Sequence, residues 1–136
     1  MEKMLLNIII EEEKAIKELL NLLDKQFQKM AEEDVFALDA IVDEIKICNK
    51  NIAEFEVKRR NLLNGTSMKE FVEKSNDREL EEAYRSIKKL LELVVRQKDT
   101  NDVLLKQKLV LTNQFLRIAN PSRDAKIYNS YGKVKR

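Results

Sequence analysis

The chain has 136 residues, 43% of them hydrophobic and 37% charged, with two glycines, one proline and no tryptophan, a composition that suits long helices and argues against a sheet. There is no histidine, which removes the commonest general base, the Ser-His and Cys-His nucleophile pairs and imidazole metal ligands. The net charge of +2 is unevenly placed, because from Pro121 onward five cations meet one anion and sum to +4, leaving −2 for the residues before.

The length fits a single domain. The opening "MEKMLLNIII" is followed at once by "EEEK" with no small-residue cleavage site, so no signal peptide is expected. No apolar stretch reaches the roughly 20 residues that a membrane-spanning helix needs. The single cysteine cannot close an internal disulfide. These features predict a cytoplasmic protein with no stable membrane insertion.

From Glu2 to Met30, Ile9, Ile16, Leu23 and Met30 recur with Leu5, Leu19, Leu20 and Phe27 beside them, one broad helical stripe. Successive residues of a helix point about 100° apart, so the carboxylates of "EEEK" cannot converge on one atom and are expected to form a solvated face. The stretch "MAEEDVFAL" contains neither Gly nor Pro, but Asp34 can cap a new helix there. A hairpin buries more apolar surface than one rod of roughly 95 Å, so a turn is expected.

The next run is stricter. Leu38, Ile41, Ile45, Cys48, Ile52 and Phe55 alternate steps of three and four, and the series resumes at Leu62 after Arg59, a heptad seam. Cys48 falls within that seam, where a free cysteine acts as a small apolar filler. Gly65 can take the left-handed conformation that stops a helix, and Ser67 with Glu70 reads as a capping box for a short helix. Asn76 and Glu79 repeat that spacing, placing the start of the longest helix near Asp77 and its end near Ala119.

The seam of this last helix reads Leu80, Ala83, Ile87, Leu90, Val94, Gln97, Asn101, Leu104, Leu111, Phe115 and Ile118. Tyr84, Leu91, Val95, Leu105, Leu109 and Leu116 form a second apolar strip. A helix apolar on two sides needs more than one neighbour, or part of it awaits a partner. Gln97 and Asn101 fix register within the bundle in one reading and await a partner's hydrogen bonds in the other. Pro121 then ends the helix by pushing Asn120 away from helical angles.

These elements predict an all-α protein. It is an elongated antiparallel bundle or coiled coil of three long helices plus one short helix over residues 1–119, followed by a flexible, basic, tyrosine-bearing tail over 120–136. Gly65 and Gly132 stand apart, so no glycine-rich phosphate loop exists. No enzyme, cofactor or metal is expected. The tail could contact phosphates through its cations and stack on a base through its tyrosines, but the rest of the chain is acidic and shows no recognition fold. A nucleic-acid partner is therefore not expected, and a linear docking segment is preferred to a passive solubilising tail because tyrosine joins a large apolar ring to a polar handle.

The order of the elements carries a resemblance. A Glu/Lys-rich opening helix, "EEDVFALDAIVDEIK", "IAEFEVKRRNLLNG", "SMKEFVEK", a long helix with "NDVLLKQKL" and finally "YNSYGK" together resemble the FlgN family of flagellar export chaperones over nearly the whole chain. That resemblance implies a non-catalytic chaperone that binds the hook-filament junction, or hook-associated, proteins and delivers them to an export-gate protein of the flagellar type III secretion apparatus. It implies a cargo surface on Leu104, Leu105, Leu109, Leu111, Phe115 and Ile118, and a gate-docking tyrosine at Tyr128. Tyr131 departs from the charged or small residue common before the family's glycine, so both tyrosines are candidates. The alternative is a structural coiled-coil protein that uses its apolar stripe to associate with itself, as a homodimer, without cargo.

Overall fold

Leu5, Ile9, Glu12, Ile16, Leu19 and Leu23 follow one another at steps of four and three along the first helix, and all six are buried. The computed structural model describes residues 1–119 together with the backbone of Ile127–Tyr128 and Val134–Lys135. Its helices are α1 (Glu2–Glu32), α2 (Val35–Leu63), α3 (Met68–Ser75) and α4 (Arg78–Ala119). Over the described residues the chain is thus a helical bundle of three long helices and one short one, as its periodicity predicts.

The turn between α1 and α2 is made without glycine. Glu33 takes left-handed angles (φ 59°, ψ 32°) and donates its N–H to the Met30 carbonyl, while the Asp34 N–H reaches back to the Lys29 carbonyl at 3.0 Å. This is the paired hydrogen-bond pattern that closes a helix C-terminus on a left-handed residue. Asp34 then accepts from the Ala37 N–H at 3.1 Å and caps α2. The hairpin, and not the continuous rod, is the observed arrangement.

At the end of α2, Asn64 rather than Gly65 is the residue that leaves the helix, at φ 46°, and Gly65 follows at φ 89°. Both are left-handed, which asparagine tolerates and glycine adopts without steric cost. Ser67 caps α3 by accepting from the Glu70 N–H at 3.1 Å. The start of α4 differs from the sequence reading. Asn76 closes α3 in a left-handed conformation, and Asp77 is the cap, accepting from the N–H groups of Glu79 and Leu80 at 3.0 and 3.3 Å. Asn76 cannot serve both purposes, because a left-handed cap of one helix lacks the extended angles of an N-cap.

Two compact units divide the chain, Met1–Lys98 and Asp99–Arg136. In the first, the core joins all four helices: Leu5, Ile9, Ile16 and Leu23 of α1, Cys48 and Ile52 of α2, Val72 of α3, and Leu80, Ile87 and Val94 of α4. Cys48 is buried there as a filler and its Sγ donates to the Ala15 carbonyl at 3.2 Å.

The expectation for "EEEK" fails at its second residue. Glu12 is buried, with 1% of its surface exposed, and accepts two hydrogen bonds from the guanidinium of Arg59 on α2. Its neighbour Glu13 accepts from the Ser86 hydroxyl of α4 at 2.9 Å. Glu11 and Lys14 remain exposed and pair with each other across one helical turn. A buried carboxylate persists only where it is paired and hydrogen-bonded, and Arg59 supplies that pairing.

The second unit contains the last turns of α4 and an antiparallel pair of two-residue strands, in which Ile127 faces Lys135 and Tyr128 faces Val134.

Candidate protein-binding surface

At 3.6 residues per turn, Leu104, Leu111, Phe115 and Ile118 fall on one flank of α4. Leu105, Leu109 and Leu116 fall on the adjoining flank. From residue 103 to residue 119 no side chain is buried. Leu104 and Leu109 are half-buried, Leu105, Leu111 and Leu116 are exposed, and Phe115 and Ile118 are the most open, at 68% and 82%. Leucine, phenylalanine and isoleucine in such a run cost free energy in water at about 25 cal/mol for each Å² left uncovered. A contiguous stripe of this kind is a candidate interaction surface, unlike apolar residues scattered singly.

Between the two flanks lies Thr112, whose hydroxyl donates to the Lys108 carbonyl at 2.8 Å. The bond ties up its polar atom on its own helix, so the strip between the flanks carries one polar group fewer. Asn113 borders the second flank, and its Oδ1 is sheltered from solvent with no hydrogen-bond partner. Sequence reasoning did not single out this acceptor, because an unmet hydrogen bond depends on neighbours that periodicity does not reveal. Val103 and Val110 are also exposed. They lie on the far side of the helix, away from both flanks.

The two amides in the α4 seam already have interactions of their own. Asn101 is buried, Gln97 is half-buried, and each is already engaged within the chain. In the upper part of α4, Tyr84 of the second strip is half-buried beneath the Lys88 ammonium, 5.3 Å from the ring centroid, while Leu91 and Val95 are exposed.

The helix thus changes character along its length: in its first half a buried seam at Leu80, Ile87 and Val94, and in its last turns an apolar stripe open to solvent. The stripe closes a succession of a hairpin, a short capped helix and a long fourth helix over residues 2–119. The family described as FlgN protein matches residues 1–136. The chain belongs to the FlgN family.

FlgN-family proteins are flagellar export chaperones, and the partners of the family are flagellar hook-associated proteins. No curated protein and no solved structure matches the chain. The FlgN assignment rests on the full-length family match.

Of the residues that the FlgN resemblance marks, all six on α4 lie on the exposed stripe or its half-buried edge. Tyr128 is described in its backbone alone, in the pair with Val134. Tyr131 lies outside the described residues. Among the described residues, no group of three or more cysteines, aspartates and glutamates is placed to hold a metal ion, and no helix is long and apolar enough to cross a membrane.

Proposed function

We propose that this FlgN-family protein is a cytoplasmic, non-enzymatic chaperone that receives the C-terminal helices of hook-associated proteins on the last turns of α4. It keeps them from assembling early and delivers them to the type III export gate. The observation that supports this reading is the open stripe of Leu111, Phe115 and Ile118, which has the i, i+4, i+7 geometry of a helix that pairs with another amphipathic helix. An unpartnered amphipathic helix on a cargo protein aggregates, and covering it with a second apolar stripe removes the same surface from water. Four or five anchors at roughly 1.5 to 3 kcal/mol each, less the cost of association, correspond to micromolar to nanomolar affinity.

The basic segment of residues 120–136 acts as a docking segment for the export gate. Tyr128 or Tyr131 engages the gate protein through its ring and hydroxyl, and the neighbouring cations steer the approach. Competition by the gate releases cargo without nucleotide hydrolysis.

The test is binding of the intact protein to peptides from the C-terminal helices of hook-associated proteins. Saturable binding that Leu109→Glu and Phe115→Glu abolish is expected, and binding indifferent to both would refute the surface. Tyr128→Ala and Tyr131→Ala are expected to retain cargo affinity while at least one loses gate binding. If both bind the gate normally, the docking role fails.

A further inference from the structure

The second helix carries an apolar stripe on the side away from its buried seam. Phe36, Ala40, Ile47 and Val57 stand at heptad-like steps along it, with Asp43, Lys50 and Glu54 at the intervening steps. The seam residues Ile41, Cys48 and Ile52 are buried, whereas Phe36 is 89% exposed, Ile47 64% and Val57 51%. Between Lys50, Ala53, Glu54, Val57 and Lys58 lies a shallow depression on this outer face. Residues at i, i+3, i+4 and i+7 make the kind of hole into which a facing helix inserts one side chain. Ile47 is a projecting apolar side chain on the same stripe, about 15 Å from Val57 at 1.5 Å per residue.

A helix that displays both the knob and the hole is complementary to itself when two copies run antiparallel about a two-fold axis. We propose that the outer face of α2 is a homodimer interface, in which Ile47 of each copy packs against Val57 of the other, at the end of the depression between Glu54 and Lys58. The axis then passes midway between Lys50 and Glu54, so the Lys50 ammonium of one copy meets the Glu54 carboxylate of the second, twice over. Glu44 and Lys58 oppose each other on one flank. The charges also select the register. Shifting by one heptad toward the N-terminus sets Asp43 against Glu54, two carboxylates, and shifting the other way lays Glu54 on Val57. Such an isologous contact closes on itself and leaves no repeating edge. The interface lies wholly within residues 1–98 and does not depend on the cargo reading of α4.

The experiment is sedimentation velocity on the full chain from about 1 µM to about 1 mM, the range of a modest helix-pair affinity. A concentration-dependent monomer–dimer equilibrium is expected. Ile47→Glu places a carboxylate against Val57 on both sides of the axis and Lys50→Glu sets like charges in both central layers, so each is expected to weaken the dimer at least about tenfold. Circular dichroism should show unchanged helix content, since both positions face solvent. Glu54→Lys alone should weaken it likewise, whereas an equimolar mixture of Lys50→Glu and Glu54→Lys chains should form a heterodimer, because each then offers the charges the other lacks. A chain that is monomeric throughout this range overturns the proposal. So does a dimer that both single variants leave intact, or a mixture that fails to associate.

Discussion

The guanidinium of Arg59 grips the carboxylate of Glu12 with two parallel hydrogen bonds, Nε to Oε1 at 2.7 Å and Nη2 to Oε2 at 3.2 Å. The remaining guanidinium nitrogen, Nη1, lies 3.3 Å from the Met68 sulfur at the start of α3. One side chain therefore ties α1, α2 and α3 together. Only one registration of the two long helices brings these charges opposite each other.

Breaking this pair should cost far more than replacing it. Glu12→Ala leaves Arg59 without its partner, and removing one member of a buried pair is expected to destabilise by about 3 kcal/mol, the lower end of the usual range because Arg59 retains some contact with water. The double variant Glu12→Leu with Arg59→Met should come within about 1 kcal/mol of the natural chain, since a well-packed apolar pair often matches a buried ionic one. Urea unfolding of the natural chain and the two variants measures this. Equal losses in the single and double variants would contradict it.

Burial pushes the Cys48 thiol above its ordinary range, and the nearby Glu18 carboxylate adds to the shift. Folding therefore favours the protonated thiol. The sign follows from linkage: stability from this group is intact below the ordinary thiol pKa and falls as pH rises beyond it, because the unfolded chain ionises first. The natural chain should lose more stability between neutral and alkaline pH than Cys48→Ala does. Denaturant melts of the two proteins on either side of the thiol range test this, and parallel curves would contradict it.

The turn after α1 holds a glutamate where glycine is easiest. Glu33 sits at φ 59°, and a left-handed conformation costs an L-residue with a Cβ about 1–2 kcal/mol. Glu33→Gly relieves that cost at the expense of a more flexible unfolded chain, so a net gain of about 0.5–1 kcal/mol is expected. Thermal melts read it directly.

The cap of α4 gives the opposite result. Asp77→Ala removes the acceptor for the N–H groups of Glu79 and Leu80 and should cost about 1 kcal/mol. Asn76→Gly should be tolerated, because Asn76 stands at φ 52° and contributes no cap to α4. Comparable losses from both would mean that the two residues share the cap.

Helix number, order and seams are legible in the chain because burial imposes a period on apolar residues, and Ile9, Ile16, Cys48, Ile52, Leu80 and Ile87 obey it. Glu12 was not legible as a core residue, although the steps of four and three from Leu5 pass through it. The neighbouring charges of "EEEK" disguise one seam position as part of a solvated run, and its partner is 47 residues away. The exchange of Asn76 for Asp77 has a local cause. Either side chain can cap a helix, and the backbone angle that decides between them depends on how α3 ends. The α4 stripe was visible as the end of its seam and the second apolar strip beside it, but periodicity alone does not reveal which turns are covered, and only in the fold do Leu80 and Phe115 part company.

Hydrogen–deuterium exchange of the full chain, with and without a C-terminal helix of a hook-associated protein, tests the central claim most directly. Slowed exchange is expected across residues 103–118 of α4, with little change at the α1–α2 turn or on the outer face of α2. Cargo binding that leaves 103–118 exchanging as before, while protecting another surface, would contradict the account.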